Sequence, residues 1–220
     1  MANHLSPELD RYLVAHHASR SPILREMEQW AKENDFPIFG PECGRTVATL
    51  SVAIEARRVF EMGSGVGYST IWFAAAVGPT GEVVHTDGDA ANTEAARGYL
   101  DRAGFLDRCR FLNGDALELL AQEQEPFDCI LIDVNKTQYP LALRIATEKL
   151  RYGGLIFTHN AIWSGRVADT SDMEPSTVAI RQYNRDAVDH PELMTFLDPI
   201  HDGLAISLKV GEAHAAVKQL

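Results

Sequence analysis

The chain has 220 residues, 31 acidic against 20 Lys plus Arg for a net charge of −11, with 45% hydrophobic and 23% charged residues. That length fits one domain with a self-sufficient core, and that balance excludes a disordered chain. The acidic surplus argues against a nucleic-acid binder, which clusters Lys and Arg for phosphates, and against adhesion to anionic membranes.

From the N-terminus, Met1 to Asp10 carries acids and no apolar stretch of secretory type. The longest apolar run, Ile71 to Val77, is seven residues, where a membrane helix needs roughly 20. Cys43, Cys109 and Cys129 are too few and too widely spaced for a disulfide framework or a CxxC zinc site. A cytoplasmic location is expected. The first 56 residues read as a helical extension: Ser6-Pro7-Glu8 is a helix start, Ile23, Met27 and Trp30 recur at helical spacing, and residues 35–41 break the pattern before a third helix to about Ala56. His16-His17 reads as a solvated helix face.

From residue 57 to 210 the rhythm changes. Val59–Met62, Val83–Thr86, Arg110–Leu112, Phe127–Ile132 and Leu155–Thr158 read as buried strands, and Tyr68–Val77, Ala90–Ala103, Ala116–Gln122 and Tyr139–Leu150 as the helices between them. This alternation predicts a single α/β domain with a parallel sheet covered on both faces. Met194–Leu197 and Leu204–Val210 then suit an antiparallel hairpin at the sheet's edge. Ligands in such sheets bind beyond the carboxyl ends of the strands.

At the first strand end, Glu61-Met-Gly63-Ser-Gly65-Val-Gly67-Tyr-Ser69 opens a helix. Its glycines let a ligand lie against the backbone, and the helix N-terminus offers free N–H donors. The spacing is G-x-G-x-G with Tyr68 at the sixth position, which departs from the dinucleotide fingerprint and favours a ligand without a pyrophosphate. Asp87, 20 residues after Gly67, ends the second strand, where a carboxylate accepts from a ribose diol. Asp115 follows the third strand, positioned to meet an adenine amino group or to cap the next helix. The fourth strand delivers Asp133, with Lys136 three residues later, and the fifth ends in His159-Asn160. Adjacent parallel strands bring these together in one cleft. Asp and Asn oxygens suit Mg²⁺, whereas imidazole suits zinc, iron or nickel. Taken singly, each of these residues is also an ordinary turn former, cap or surface lysine.

Together the glycine loop, the Asp133-x-x-Lys136-x-x-Tyr139 segment, Asn160-Ala-Ile-Trp163-Ser-Gly165-x-Val167 and Asp202-Gly203-Leu…Lys209 resemble the class I S-adenosylmethionine-dependent O-methyltransferases of the catechol and caffeoyl-CoA type, over about Gly40 to Lys209. The resemblance implies a Rossmann-like seven-stranded sheet with a reversed last strand, and a homodimer. It assigns Glu61, Gly63 and Ser69, with the Gly65 backbone, to the cofactor's amino-acid end. Asp87 falls on the ribose hydroxyls, and Asp115 and Ala116 on the adenine. Asp133 and Asn160 fall on ligands of a divalent cation, and Lys136 on the base that deprotonates a small-molecule hydroxyl, phenolic or catechol-like.

Two positions depart from the family pattern: His159 stands where a second metal-binding Asp is usual, and Asn135 removes another acid. Three outcomes stay open: a cation held by Asp133, His159 and Asn160; a metal-independent enzyme with His159 as base; or a cofactor-binding protein with little turnover. A nicotinamide-dependent oxidoreductase is the remaining rival. Trp163 reads equally as acceptor-pocket wall or core, and the polar segment Ser164–Pro175 as a cover or a connector.

Overall fold

In the computed structural model, which describes residues 6–16, 20–211 and 216, three helices come first: α1 (Pro7–His16), α2 (Pro22–Glu33) and α3 (Pro41–Ala53). Each starts on proline, whose missing N–H removes no helical hydrogen bond in the first turn. Ser6 Oγ accepts from Leu9 N and Ser21 Oγ from Leu24 N. α3 stops at Ala53, three residues before the expected end. His16 lies exposed on α1 with Nδ1 2.7 Å from Tyr12 O; His17 lies outside the described residues.

The strand–helix series follows as β1 (Arg58–Met62), α4 (Tyr68–Ala76), β2 (Glu82–Asp87), α5 (Ala90–Arg102), β3 (Cys109–Asn113), α6 (Ala116–Gln122), β4 (Phe127–Ile132), α7 (Tyr139–Lys149), β5 (Leu150–His159), α8 (Pro175–Asp189), β6 (Leu193–Asp198) and β7 (Leu204–Lys209). The seven strands form one sheet in the order β3-β2-β1-β4-β5-β7-β6. β7 runs antiparallel to both β5 and β6, so it is the reversed strand the resemblance implied. The strand order turns back between β1 and β4, which places the ligand crevice at their carboxyl ends.

Side chains alternate across the sheet with period two. Val59, Cys129, Leu131 and Phe157 pack on one face against α2, α3 and α4, while Phe60, Met62, Ile130, Ile132 and Ile156 pack on the other against α6, α7 and α8. The N-terminal helices therefore share the sheet's own core through Met27, Phe39, Cys43 and Val47. Among the described residues no helix is long and apolar enough to cross a membrane.

Two features depart from the sequence reading. β5 begins at Leu150, five residues before the expected Leu155, because Leu150 pairs with Phe127 across a register shift. α8 was not expected at all: its buried positions Thr177, Ile180, Tyr183 and Ala187 lie at helical spacing, but a polar sequence surrounds them. The segment before it holds a 3₁₀ turn over Trp163–Ala168 and is pinned by Asp172, which accepts from Arg166 and Thr177.

Candidate active site

The turn between β1 and α4 brings backbone, not side chains, to the crevice. Gly63 sits at φ +85°, and a Cβ there would lie 2.4 Å from the Asp133 carbonyl oxygen. The ends of β1 and β4 thus approach at a distance only glycine allows. Gly65 N donates to Asp87 Oδ2 at 2.8 Å, and Asp87 Oδ1 accepts from Asp89 N at 2.8 Å and Asn92 Nδ2 at 3.2 Å. The carboxylate that ends β2 therefore fixes the glycine turn as well as facing the crevice.

A cleft of about 490 Å³ opens there, within the range of small-molecule sites. Gly63, Gly65 and Asp87 line one side, Asp133, Lys136, His159, Asn160 and Trp163 the other, and Phe36, Pro37 and Ile38 from the α2–α3 connection cover it. Ser69 lines an adjoining recess. Glu61, Asp115 and Ala116 line neither. Asp115 caps α6, accepting from Leu117 N and Glu118 N, and Ala116 is buried behind it. Glu61 lies fully buried beneath the glycine turn. Its Oε2 accepts from Thr70 Oγ1 at 2.6 Å, Thr70 Oγ1 lies 3.1 Å from His85 Nδ1, and Oε1 has no hydrogen-bond partner. Burial pushes the Glu61 carboxyl up to about 7, even though the hydroxyls of Ser69, Thr70 and Ser64 pull the other way.

The chemistry concentrates around Asp133. Its Oδ1 accepts from Lys136 Nζ at 2.8 Å, and its Oδ2 lies 3.1 Å from His159 Nδ1. Burial alone would raise its pKa, but the charges and hydrogen bonds of Lys136 and His159 hold it well below the usual carboxylate range. Lys136 Nζ also donates to Tyr139 Oη at 2.8 Å, and Tyr139 Oη donates to the His159 carbonyl. The ring of Trp163 lies 5.8 Å from Nζ. Trp163 is therefore part of the cleft wall. Asn160, at φ +58°, donates from Nδ2 to Asp202 Oδ2 at 2.7 Å.

Asp133, His159 and Asn160 thus do come together, as the adjacent strands required. Asp133 nonetheless engages both oxygens with Lys136 and His159, while Asn160 binds Asp202 through Nδ2 and keeps its Oδ1 out of that bond. One carboxylate with both oxygens engaged, an imidazole and a single amide oxygen are too few oxygen donors for a hard cation, which favours several of them.

Sequence reasoning missed Asp202, His201, Cys43, Asn92 and the Phe36–Ile38 cover. His201, in the β6–β7 turn, puts Nδ1 3.1 Å from His159 Nε2. Burial, with His159 alongside, lowers its pKa to about 4. The sequence marks Asp202-Gly203 as a turn and as part of the family resemblance, without a site role; the two carboxylate oxygens of Asp202 hold Asn160 and the Ser164 backbone N–H.

The profile of the O-methyltransferase family matches residues 15–210. A catechol O-methyltransferase from Mycobacterium tuberculosis is 32% identical over 85% of this chain and 86% of its own length. One from Niastella koreensis is 31% identical over 76% of this chain and 80% of its own. The crystal structure of an O-methyltransferase from Bacillus cereus in complex with S-adenosylhomocysteine superposes with a TM-score of 0.82 at 26% identity, covering 92% of this chain and 97% of that one. With the reversed β7, the crevice at β1 and β4 and these likenesses along nearly the whole length, the chain belongs to the S-adenosylmethionine-dependent O-methyltransferase family.

Proposed function

We propose that the enzyme methylates a hydroxyl of a small phenolic or catechol-like acceptor, with Lys136 as the base. The observation that carries this reading is that Lys136 reaches the same cleft as the glycine turn and Asp87, held there by Asp133 and Tyr139. Gly63, Gly65 and Ser69 border the cofactor's amino-acid end and Asp87 takes the ribose hydroxyls; Asp115 and Ala116, outside the cleft lining, are assigned to the adenine by the family resemblance alone. Glu61 acts from beneath, bracing the turn through Thr70. Bound S-adenosylmethionine supplies an intrinsically electrophilic methyl, so the chain's task is to hold an oxygen in line with it at about 3 Å.

A phenol has a pKa near 10, so its proton must be taken. Lys136, having passed its own proton to solvent, accepts that proton, and the Asp133 carboxylate and Tyr139 hydroxyl stabilise the ammonium that forms again. His159 holds Asp133 from the other side. Trp163 and the Phe36–Ile38 segment keep water from the reacting oxygen. Since Asp133, His159 and Asn160 do not fit a hard cation, no step passes through one. The names of the catechol O-methyltransferase relatives support the acceptor class, and the three free cysteines support a reducing, cytoplasmic setting. By the same family resemblance the enzyme is a homodimer, to be read by light scattering.

The test is methyl transfer to a panel of dihydroxyphenols, followed by release of S-adenosylhomocysteine. Lys136→Ala is expected to lower kcat by about 10²–10⁴-fold while S-adenosylhomocysteine still binds. Unchanged kcat would remove Lys136 as the base, and no transfer to any of the panel would overturn the acceptor class. Added Mg²⁺ is expected to leave the rate unchanged.

A further inference from the structure

We infer that Cys43, His159 and His201 form a binding site for one transition-metal ion of the zinc type, tying α3 to the ends of β5 and the β6–β7 turn. Among the described residues, these three form the one group of His, Cys, Asp and Glu side chains whose donor atoms lie close enough to share an ion, all within 4.8 Å of one another. They come from positions that no sequence motif links.

The geometry around His159 gives the direction of the site. The carboxylate oxygen of Asp133 faces Nδ1 at 3.1 Å, an arrangement that suits the tautomer with its proton on Nδ1 and Nε2 free to ligate. Nε2 faces His201 Nδ1 at 3.1 Å. Carboxylate–imidazole–metal is the arrangement in which an outer acid fixes the tautomer and orientation of a ligating histidine. Two imidazole nitrogens facing each other need either a shared proton or a shared cation. The buried sulfur beside them, on a cysteine with 0% exposure, favours the cation.

The His201 backbone is held at φ +53°, uncommon for non-glycine residues and one that histidine adopts more readily than most. Its ring packs where a Cβ on Gly40 would lie 2.8 Å away, so glycine at position 40 makes room for it. One thiolate and two imidazoles are the donors of tetrahedral zinc sites, with the fourth position open. Zn–S and Zn–N bonds of about 2.3 and 2.1 Å place tetrahedral donors roughly 3.3–3.6 Å apart. The two nitrogens, 3.1 Å apart, need to open by a few tenths of an ångström, and the sulfur has a short distance to close. On loading, the thiol proton leaves to solvent and the thiolate binds the ion. This site is distinct from a hard-cation site on Asp133 and Asn160, and it selects a softer metal. It does not rest on the methyl-transfer reading.

The experiment loads chelator-stripped full-length enzyme with Co²⁺ and records its absorption. One Co²⁺ per chain, with a thiolate-to-cobalt charge-transfer band in the near ultraviolet and tetrahedral visible bands, both lost on adding Zn²⁺, is the expected result. Cys43→Ala is expected to abolish the charge-transfer band, and His201→Gln to weaken Co²⁺ binding by about tenfold or more. S-adenosylhomocysteine binding by each variant reports that it has folded. If Cys43→Ala does not fold, the loss of affinity in His201→Gln decides. No band in the wild-type enzyme, or Co²⁺ binding unchanged by the substitutions, would overturn the site and leave a hydrogen-bonded histidine pair.

Discussion

At Glu61 a single residue links depth to pH. An acid raised from 4.5 to about 7 by burial binds more protons in the native than in the unfolded state between those values. Stability therefore falls as pH rises from about 4.5 to 7, and levels off above. The full change is on the order of 3 kcal/mol. Glu61→Gln keeps the shape and removes the charge, so its stability relative to wild type is expected to rise across that window and stay higher at pH 8. Urea unfolding at pH 4.5 and pH 8 measures it; a variant that tracks wild type at both pH values would show that Glu61 ionises without penalty. The Glu-x-Gly pattern was legible in the sequence, but its depth was not. β1 is buried on both faces, so no alternation of polar and apolar residues marks which side chain meets ligand and which is sealed in. Cys43 and His201 were invisible for another reason: their partner His159 lies 116 and 42 positions away, and only the packing of α3 and the β6–β7 turn against β5 joins them.

Elements explain which glycines matter. The β1–α4 turn works because Gly63 adopts φ +85° with the Asp133 carbonyl against its Cα. Gly63→Ala is expected to destabilise the fold by about 2 kcal/mol or more, since it meets both backbone strain and a main-chain clash. Weaker S-adenosylhomocysteine binding should accompany this. Gly98, on the exposed side of α5, has nothing within 4 Å of a Cβ, and Gly98→Ala is expected to stabilise by about 0.5–1 kcal/mol. Denaturation midpoints of the two variants should move in opposite directions. A shared direction would mean that helix propensity, not the close approach of β1 and β4, governs both. The elements that the sequence disclosed well were those bounded by glycine, proline or aspartate, such as β4 and α6, whose limits match the expectation residue for residue. α8 escaped because its buried stripe includes Thr177 and Ala187, which carry little hydrophobic signal, between Arg181, Arg185 and Asp186.

On the scale of the whole molecule, the helical extension and the sheet are one cooperative unit. Leu24, Met27, Phe39, Cys43 and Val47 belong to the same cluster as Val59, Leu131 and Phe157, and the segment between α2 and α3 covers the cleft through Phe36 and Ile38. Neither part buries its apolar face without the other. Calorimetry is therefore expected to show one transition for the chain, not an early melting of residues 6–56 followed by the sheet. S-adenosylhomocysteine should move the whole transition. At 100 times its dissociation constant a ligand adds roughly 2.7 kcal/mol, which for a chain of this size raises Tm by about 5–11 °C. Because the cover and the sheet unfold together, amides near Phe36–Gly40 should gain hydrogen-exchange protection along with those of β1 and β4. Two separate transitions, or a shift confined to one of them, would mean that the cover closes on the cofactor without sharing the stability of the sheet.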